Sequence, residues 1–123
     1  ILCDTNILVD ALRSRQPVEA QFRQLLPGRV AISEMTVAEL ITGVRDKAEL
    51  ALLSKRLQVL EVVPITSTIS AAALQLMFRY RLSNQLDFAD ALIAATALEL
   101  DLPLFTLNRK HFHYLPGLTL YKP

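Results

Sequence analysis

Ile1-Leu2-Cys3-Asp4-Thr5-Asn6-Ile7-Leu8 opens the chain, and these residues decide how the rest is read. The first three are apolar and are stopped by a carboxylate. A short apolar run of this kind reads as a buried strand with Asp4 at its carboxyl end. From Thr5 the periodicity changes. Ile7, Leu8 and Leu12 recur at helical spacing, with Asp10 and Arg13 between them. The unit is strand, acid, helix.

Working outward, the same unit returns. Gln16-Pro17 breaks the first helix, and Pro17 is placed to start another carrying Val18, Phe22, Leu25 and Leu26. Pro27-Gly28 is a turn. Val30-Ala31-Ile32 reads as a second strand, after which Ser33 or Thr36 caps a helix through Val37, Leu40 and Ile41 that ends near Gly43. Residues 47 to 60 are expected to form an amphipathic helix with Leu50, Leu53, Leu57 and Leu60 on one face. Val62 to Ile65 is a third strand, which Pro64 assigns to a sheet edge or strand end. Helices are expected at Ser67 to Leu82 and Asp87 to Leu100. A fourth strand spans Leu104 to Thr106, and Leu118 to Tyr121 offers an edge strand. Short apolar strands alternating with helices imply α/β architecture: a small, mostly parallel four- or five-stranded sheet in a three-layer α/β/α sandwich.

Composition sets the bounds. The 123 residues suffice for one domain, expected to span 1–123, and are too few for two. Hydrophobic residues at 52% and charged residues at 20% describe a folded chain rather than a disordered one. No apolar run approaches the roughly 20 residues of a membrane helix. Ile1-Leu2-Cys3 is too short to serve as a signal peptide. The chain opens without Met, so native residues upstream of Ile1 are expected. A lone cysteine excludes an internal disulfide and fits a reducing, cytoplasmic setting. The net charge of +1 is not that of a protein coating nucleic acid by bulk charge, but an acidic pocket inside a basic rim satisfies it equally well.

In parallel sheets, ligand sites lie beyond the carboxyl ends of the strands. Asp4 and Asn108 follow strands there, and Glu39 and Asp90 sit one turn into helices. Clustered carboxylates repel, so their convergence calls for a cation. Oxygen-only donors suit Mg²⁺ or Mn²⁺. Each acid also has a capping reading. Asp4 can cap the first helix, Glu39 stands at capping-box spacing from Thr36, and Asp90 and Asp87 can answer a helix dipole. Capping does not require every acid to gather at one sheet edge, and the common placement favours a site. Asp87 is expected as an N-cap beside it, and Asp10 as a solvated helix position.

These stretches resemble the PIN-domain family, and within it the VapC toxins of toxin–antitoxin pairs. Asp4-Thr5-Asn6-Ile7-Leu8 resembles the opening motif, Ser33 to Leu40 the second with Glu39 as its acid, and Phe88 to Ala97 the third with Asp90. Thr106-Leu107-Asn108-Arg109-Lys110-His111-Phe112 resembles the closing motif, followed by Leu115-Pro116-Gly117-Leu118. One departure stands out: family members often carry a fourth acid in the closing motif, where this chain has Asn108 and His111. His111 is placed on the surface.

The resemblance implies a metal-dependent ribonuclease. Asp4 and Asp90 would be ligands, and Glu39 a ligand or the group that orients the attacking water. Asn6 and Thr106 would fix the carboxylates, and Asn108 would hold a metal-bound water or a phosphate oxygen. Arg13, Arg15, Arg109 and Lys110 are the expected RNA contacts. The substrate implied is structured RNA such as tRNA, and the partner an antitoxin that blocks the pocket. The helix Ser67 to Leu82 and the stripe of residues 50 to 60 exceed what one small core buries, which predicts a homodimer. Two other readings remain: an inactive scaffold binding RNA or protein, and an Asp-based phosphotransfer domain. A phosphatase of that kind would want an acid where Asn6 stands.

Overall fold

The computed structural model describes residues 1–123 and orders them as β1 (Leu2–Cys3), α1 (Thr5–Leu12), α2 (Val18–Leu25), β2 (Ala31–Ser33), α3 (Glu34–Thr42), α4 (Lys47–Leu57), β3 (Glu61–Val63), α5 (Ser67–Asn84), α6 (Phe88–Glu99) and β4 (Leu104–Phe105). All four strands are parallel, in the order β3-β2-β1-β4. Pro64 ends β3 and cannot donate to a ladder, and β3 is an edge strand. The tail forms only a single parallel bridge, Leu104 to Leu120, so of the four- or five-stranded alternatives the sheet has four strands.

Strand side chains alternate between faces, and this divides the core in two. Leu2, Ala31, Val63 and Leu104 point to one side, where they pack with Ile69 and Ala73 of α5, Ala91 to Ala95 of α6, Phe112 and Leu115. Cys3, Ile32 and Phe105 point to the other, against Ile7 and Leu8 of α1, Phe22 of α2, Leu40 of α3 and Leu53 of α4. The result is a three-layer α/β/α sandwich. Helix α6 is buried from Ala91 to Ala97, which anchors the helix just behind its first turn. No helix is long and apolar enough to cross a membrane.

Helix α4 departs from its expected pattern. It stops at Leu57, and Leu60 falls beyond it. Leu50 is exposed, and only Leu53 of the stripe is fully buried, because α4 rests on its neighbours along a narrow line.

Ser33, rather than Thr36, caps α3. Its Oγ accepts from the Met35 N–H at 3.0 Å, and the residue is wholly buried. Losing this cap leaves an unsatisfied N–H at the end of a helix that carries Glu39. Ser33→Ala is expected to cost about 1 kcal/mol, lowering Tm by about 4 °C in a thermal melt.

Candidate active site

Asp4 ends β1 and begins α1, and both roles hold its carboxylate in place. The residue is 5% exposed. Its Oδ1 accepts from the Thr5 N–H at 2.8 Å, as an N-cap does. Its Oδ2 accepts from Thr106 Oγ1 at 2.8 Å and Asn6 Nδ2 at 3.3 Å. Thr106 Oγ1 in turn accepts the Asn108 N–H at 3.0 Å, and Asn6 Oδ1 accepts the Leu107 N–H at 3.2 Å. The β1 and β4 ends are thus tied together through side chains that all bear on Asp4. Removing the Thr106 hydroxyl frees this carboxylate to rotate. Thr106→Val is expected to retain the fold while lowering the RNA cleavage that the family resemblance implies between about 10- and 100-fold, read as initial cleavage rate.

Glu39 does not close a capping box. Its Oε1 accepts from Thr5 Oγ1 at 2.7 Å, and Thr5 Oγ1 also lies 3.1 Å from Thr36 Oγ1. The hydroxyl of Thr5 therefore couples the helix after β1 to the helix after β2. Asp90 lies in the first turn of α6, where Asp87 caps the helix by accepting the Asp90 N–H at 2.8 Å. The Asp90 carboxylate is half-buried at the cleft, its Oδ2 lying 3.2 Å from His111 Nδ1. His111 belongs to a short 3-10 turn, Arg109–His111, and is exposed, as expected, while also meeting Asp90. The capping readings of Asp4 and Asp87 are both realised, and for Asp4 the cap and the site are one arrangement.

Asp4, Glu39, Asp90, Asn6 and Asn108 line a single cleft of about 410 Å³. Thr5, Val9, Asp10 and Arg15 complete it. Asp10 sits one turn beyond Asn6 on the same face of α1, which brings it to the cleft, where it pairs with Arg15 at 3.3 Å. That spacing was the available signal for it. Arg15 is the one member of the expected cationic rim that lines this cleft; Arg13 lines a neighbouring one, while Arg109 and Lys110 stand exposed on the 3-10 turn.

The electrostatics follow from this crowding. Burial pushes the Asp4 carboxyl above its ordinary range, and Glu39 adds to the rise, against the bonds from Thr106 and Thr5. Burial, then the charges of Asp87 and Asp4, push Asp90 up to about 6. Carboxylates buried together against one arginine are short of positive charge, and hard divalent cations fit that donor chemistry. As the side chains lie, no three acidic, histidine or cysteine groups close around one point. Cys3, packed in the core and pushed up to about 12 by burial, has no part in this chemistry.

Comparison with known proteins identifies the family. The PIN domain family model matches residues 1–117. Ribonuclease VapC19 of Mycobacterium tuberculosis is 37% identical over 120 residues, covering 95% of each chain. Ribonuclease VapC10 of the same organism is 41% identical over 117 residues, 91% of this chain and 85% of that one. A toxin–antitoxin complex from Klebsiella pneumoniae has a TM-score of 0.80 at 30% identity, covering 99% of this chain and 98% of that one. The chain belongs to the PIN-domain family, on its VapC branch.

Proposed function

We propose that the acidic cleft hydrolyses phosphodiester bonds in RNA with a divalent metal ion, Mg²⁺ or Mn²⁺, and that the protein is the toxin of a toxin–antitoxin pair. The observation that carries this reading is the meeting of Asp4, Glu39 and Asp90, from separate elements, in one cleft whose charges are unbalanced. When bound, the ion lowers the pKa of water and neutralises the phosphate. Asp4, fixed by Thr106 and Asn6, and Asp90, at the start of α6, would hold it. Glu39, fixed by Thr5, orients the attacking water. Asn108 faces the cleft and supplies an amide to a phosphate oxygen or a water. His111 steadies Asp90.

Structured RNA such as tRNA is the substrate class, and an antitoxin segment entering the cleft is the control. Helix α5 presents Leu74, Phe78 and Leu82 to solvent at one-turn intervals, Phe78 being 92% and Leu82 98% exposed. Such a stripe supports a homodimer. A cytoplasmic site of action fits the unpaired, buried thiol of Cys3.

The test is incubation of the purified protein with cellular RNA in Mn²⁺ and, in parallel, in EDTA. Discrete RNA fragments that appear with Mn²⁺ and not with EDTA are expected. Intact RNA under both conditions, from a protein free of antitoxin, would sink the proposal.

A further inference from the structure

Next to the acidic cleft lies a larger one, of about 600 Å³, walled by α1, α3 and α4. Val9, Arg15 and Glu39 line both, so the two adjoin across these side chains. Their charges are opposite. The acidic cleft has Asp4, Asp10, Glu39 and Asp90 against Arg15 alone. The larger one has Arg13, Arg15, Arg45 and Arg56 against Glu39 and Glu49. A chain with a net charge of only +1 has thus separated its charges into two neighbouring hollows.

The arginines are arranged rather than merely present. Arg45 is held by Glu49 Oε1, with Nη2 at 2.7 Å and Nε at 3.0 Å, while Glu49 Oε2 accepts the Arg45 backbone N–H at 2.8 Å. Nη1 of Arg45 remains available. Arg56 Nη1 donates to the Leu12 carbonyl at 3.4 Å, which leans it over α1. Arg13 has no ion-pair partner. Between them lies an apolar floor that includes Leu12, Leu40 and Leu52. Guanidinium groups present a planar fork that matches phosphate oxygens, and their flat faces can stack on unstacked bases.

We propose that this arginine cleft seats the RNA strand on one side of the bond to be cut, with its backbone phosphates on Arg13, Arg45 and Arg56. The inference rests on the ribonuclease reading above. A carboxylate-lined cleft repels a polyanion, and a strand delivered to it needs neighbouring cations along its approach. Arg15, shared by both hollows, stands at the passage between them. The track leaves the site toward α4 and not toward the exposed Arg109 and Lys110.

The test is fluorescence anisotropy with a labelled oligouridylate in EDTA, titrated over a salt series, on the full chain. Each phosphate contact to a single strand contributes a slope of about −0.7 in log K against log salt. The Arg13→Gln/Arg45→Gln/Arg56→Gln variant is expected to have a slope shallower by about 2 and to bind several-fold more weakly at low salt. Arg13→Gln alone, at a side chain with no ion pair to lose, is expected to be shallower by about 0.7 and keeps the test open if the triple variant misfolds. Arg29→Gln, just before β2 and so at the opposite end of the sheet, is expected to bind as the unmodified chain does. An unchanged slope in both cleft variants overturns the track, while continued Mn²⁺-dependent cleavage by the unmodified chain keeps the ribonuclease reading. Loss of polyglutamate binding without loss of oligouridylate binding also overturns it, and assigns the cleft to an acidic peptide. Neither binding nor cleavage of any RNA by the unmodified chain overturns both.

Discussion

Asp4→Asn is expected to lower RNA hydrolysis by at least about 100-fold, or about 2.7 kcal/mol of transition-state stabilisation, with little change in thermal stability. The substitution preserves shape and replaces an anion that accepts at both oxygens. Asparagine can still accept the Thr5 N–H, which maintains the cap on α1. Its amide nitrogen would then face Thr106 Oγ1 and Asn6 Nδ2, where Asp4 Oδ2 now accepts from both. Thr106 can turn its hydroxyl to accept, but Asn6 loses a partner. The neutral amide also removes the cost of burying a charge, the first cause of the raised Asp4 carboxyl. The two effects on stability oppose each other, and Tm is expected within a few degrees of the unmodified chain. Activity has no such compensation, because the cleft loses its best-fixed anion. Single-turnover cleavage in Mn²⁺, paired with a thermal melt, separates the two. A variant that cleaves within about threefold of the unmodified rate would exclude Asp4 from the chemistry.

Much of this was legible in the sequence, for a definite reason. In a parallel sheet a short apolar run has only one carboxyl end, so an acid just after it, or one turn into the next helix, has a known address. Asp4, Glu39 and Asp90 were placed in this way, and Pro64 put β3 at an edge. The choice between Ser33 and Thr36 as the cap of α3 was open in sequence, and the wholly buried Ser33 shows why Glu39 is free to reach Thr5. Side chains whose role depends on tertiary approach were harder to read. His111 meets Asp90 only because a 3-10 turn brings the segment after β4 over the start of α6. Arg45 and Arg56 join Arg13 only through the way α4 lies across α1 and α3. The apolar periodicity of α4 gave no warning, since Leu50 belongs to its apparent face and is exposed.

Asp90→Asn is expected to abolish Mn²⁺ binding and, in the same protein, to raise the stability of the metal-free chain. The carboxyl of Asp90 is pushed up to about 6 from an ordinary 3.8, by burial first and then by the charges of Asp87 and Asp4. A raised folded-state pKa means that the native chain retains a proton which the unfolded chain has released between about pH 4 and 6. The stability this proton contributes is fully present below about pH 4 and is lost as pH rises through about 6. At pH 7 the unmodified, metal-free chain therefore carries an unfavourable ionised carboxylate, and asparagine relieves it. The gain is expected on the order of 1 kcal/mol once solvent screening is allowed for, or a few degrees in Tm. A divalent ion reverses the sign for the unmodified chain, because it binds the ionised form. Mn²⁺ should raise its Tm in proportion to the logarithm of concentration above Kd. Its affinity should be flat above about pH 7 and fall about tenfold per unit below pH 6, since binding must then displace a proton. Calorimetry over this pH range, with melts of both proteins with and without Mn²⁺, reads every part of the argument. Burial of Asp90 is destabilising until an ion arrives, and a variant that Mn²⁺ stabilises as strongly as the unmodified chain would place the ion somewhere else.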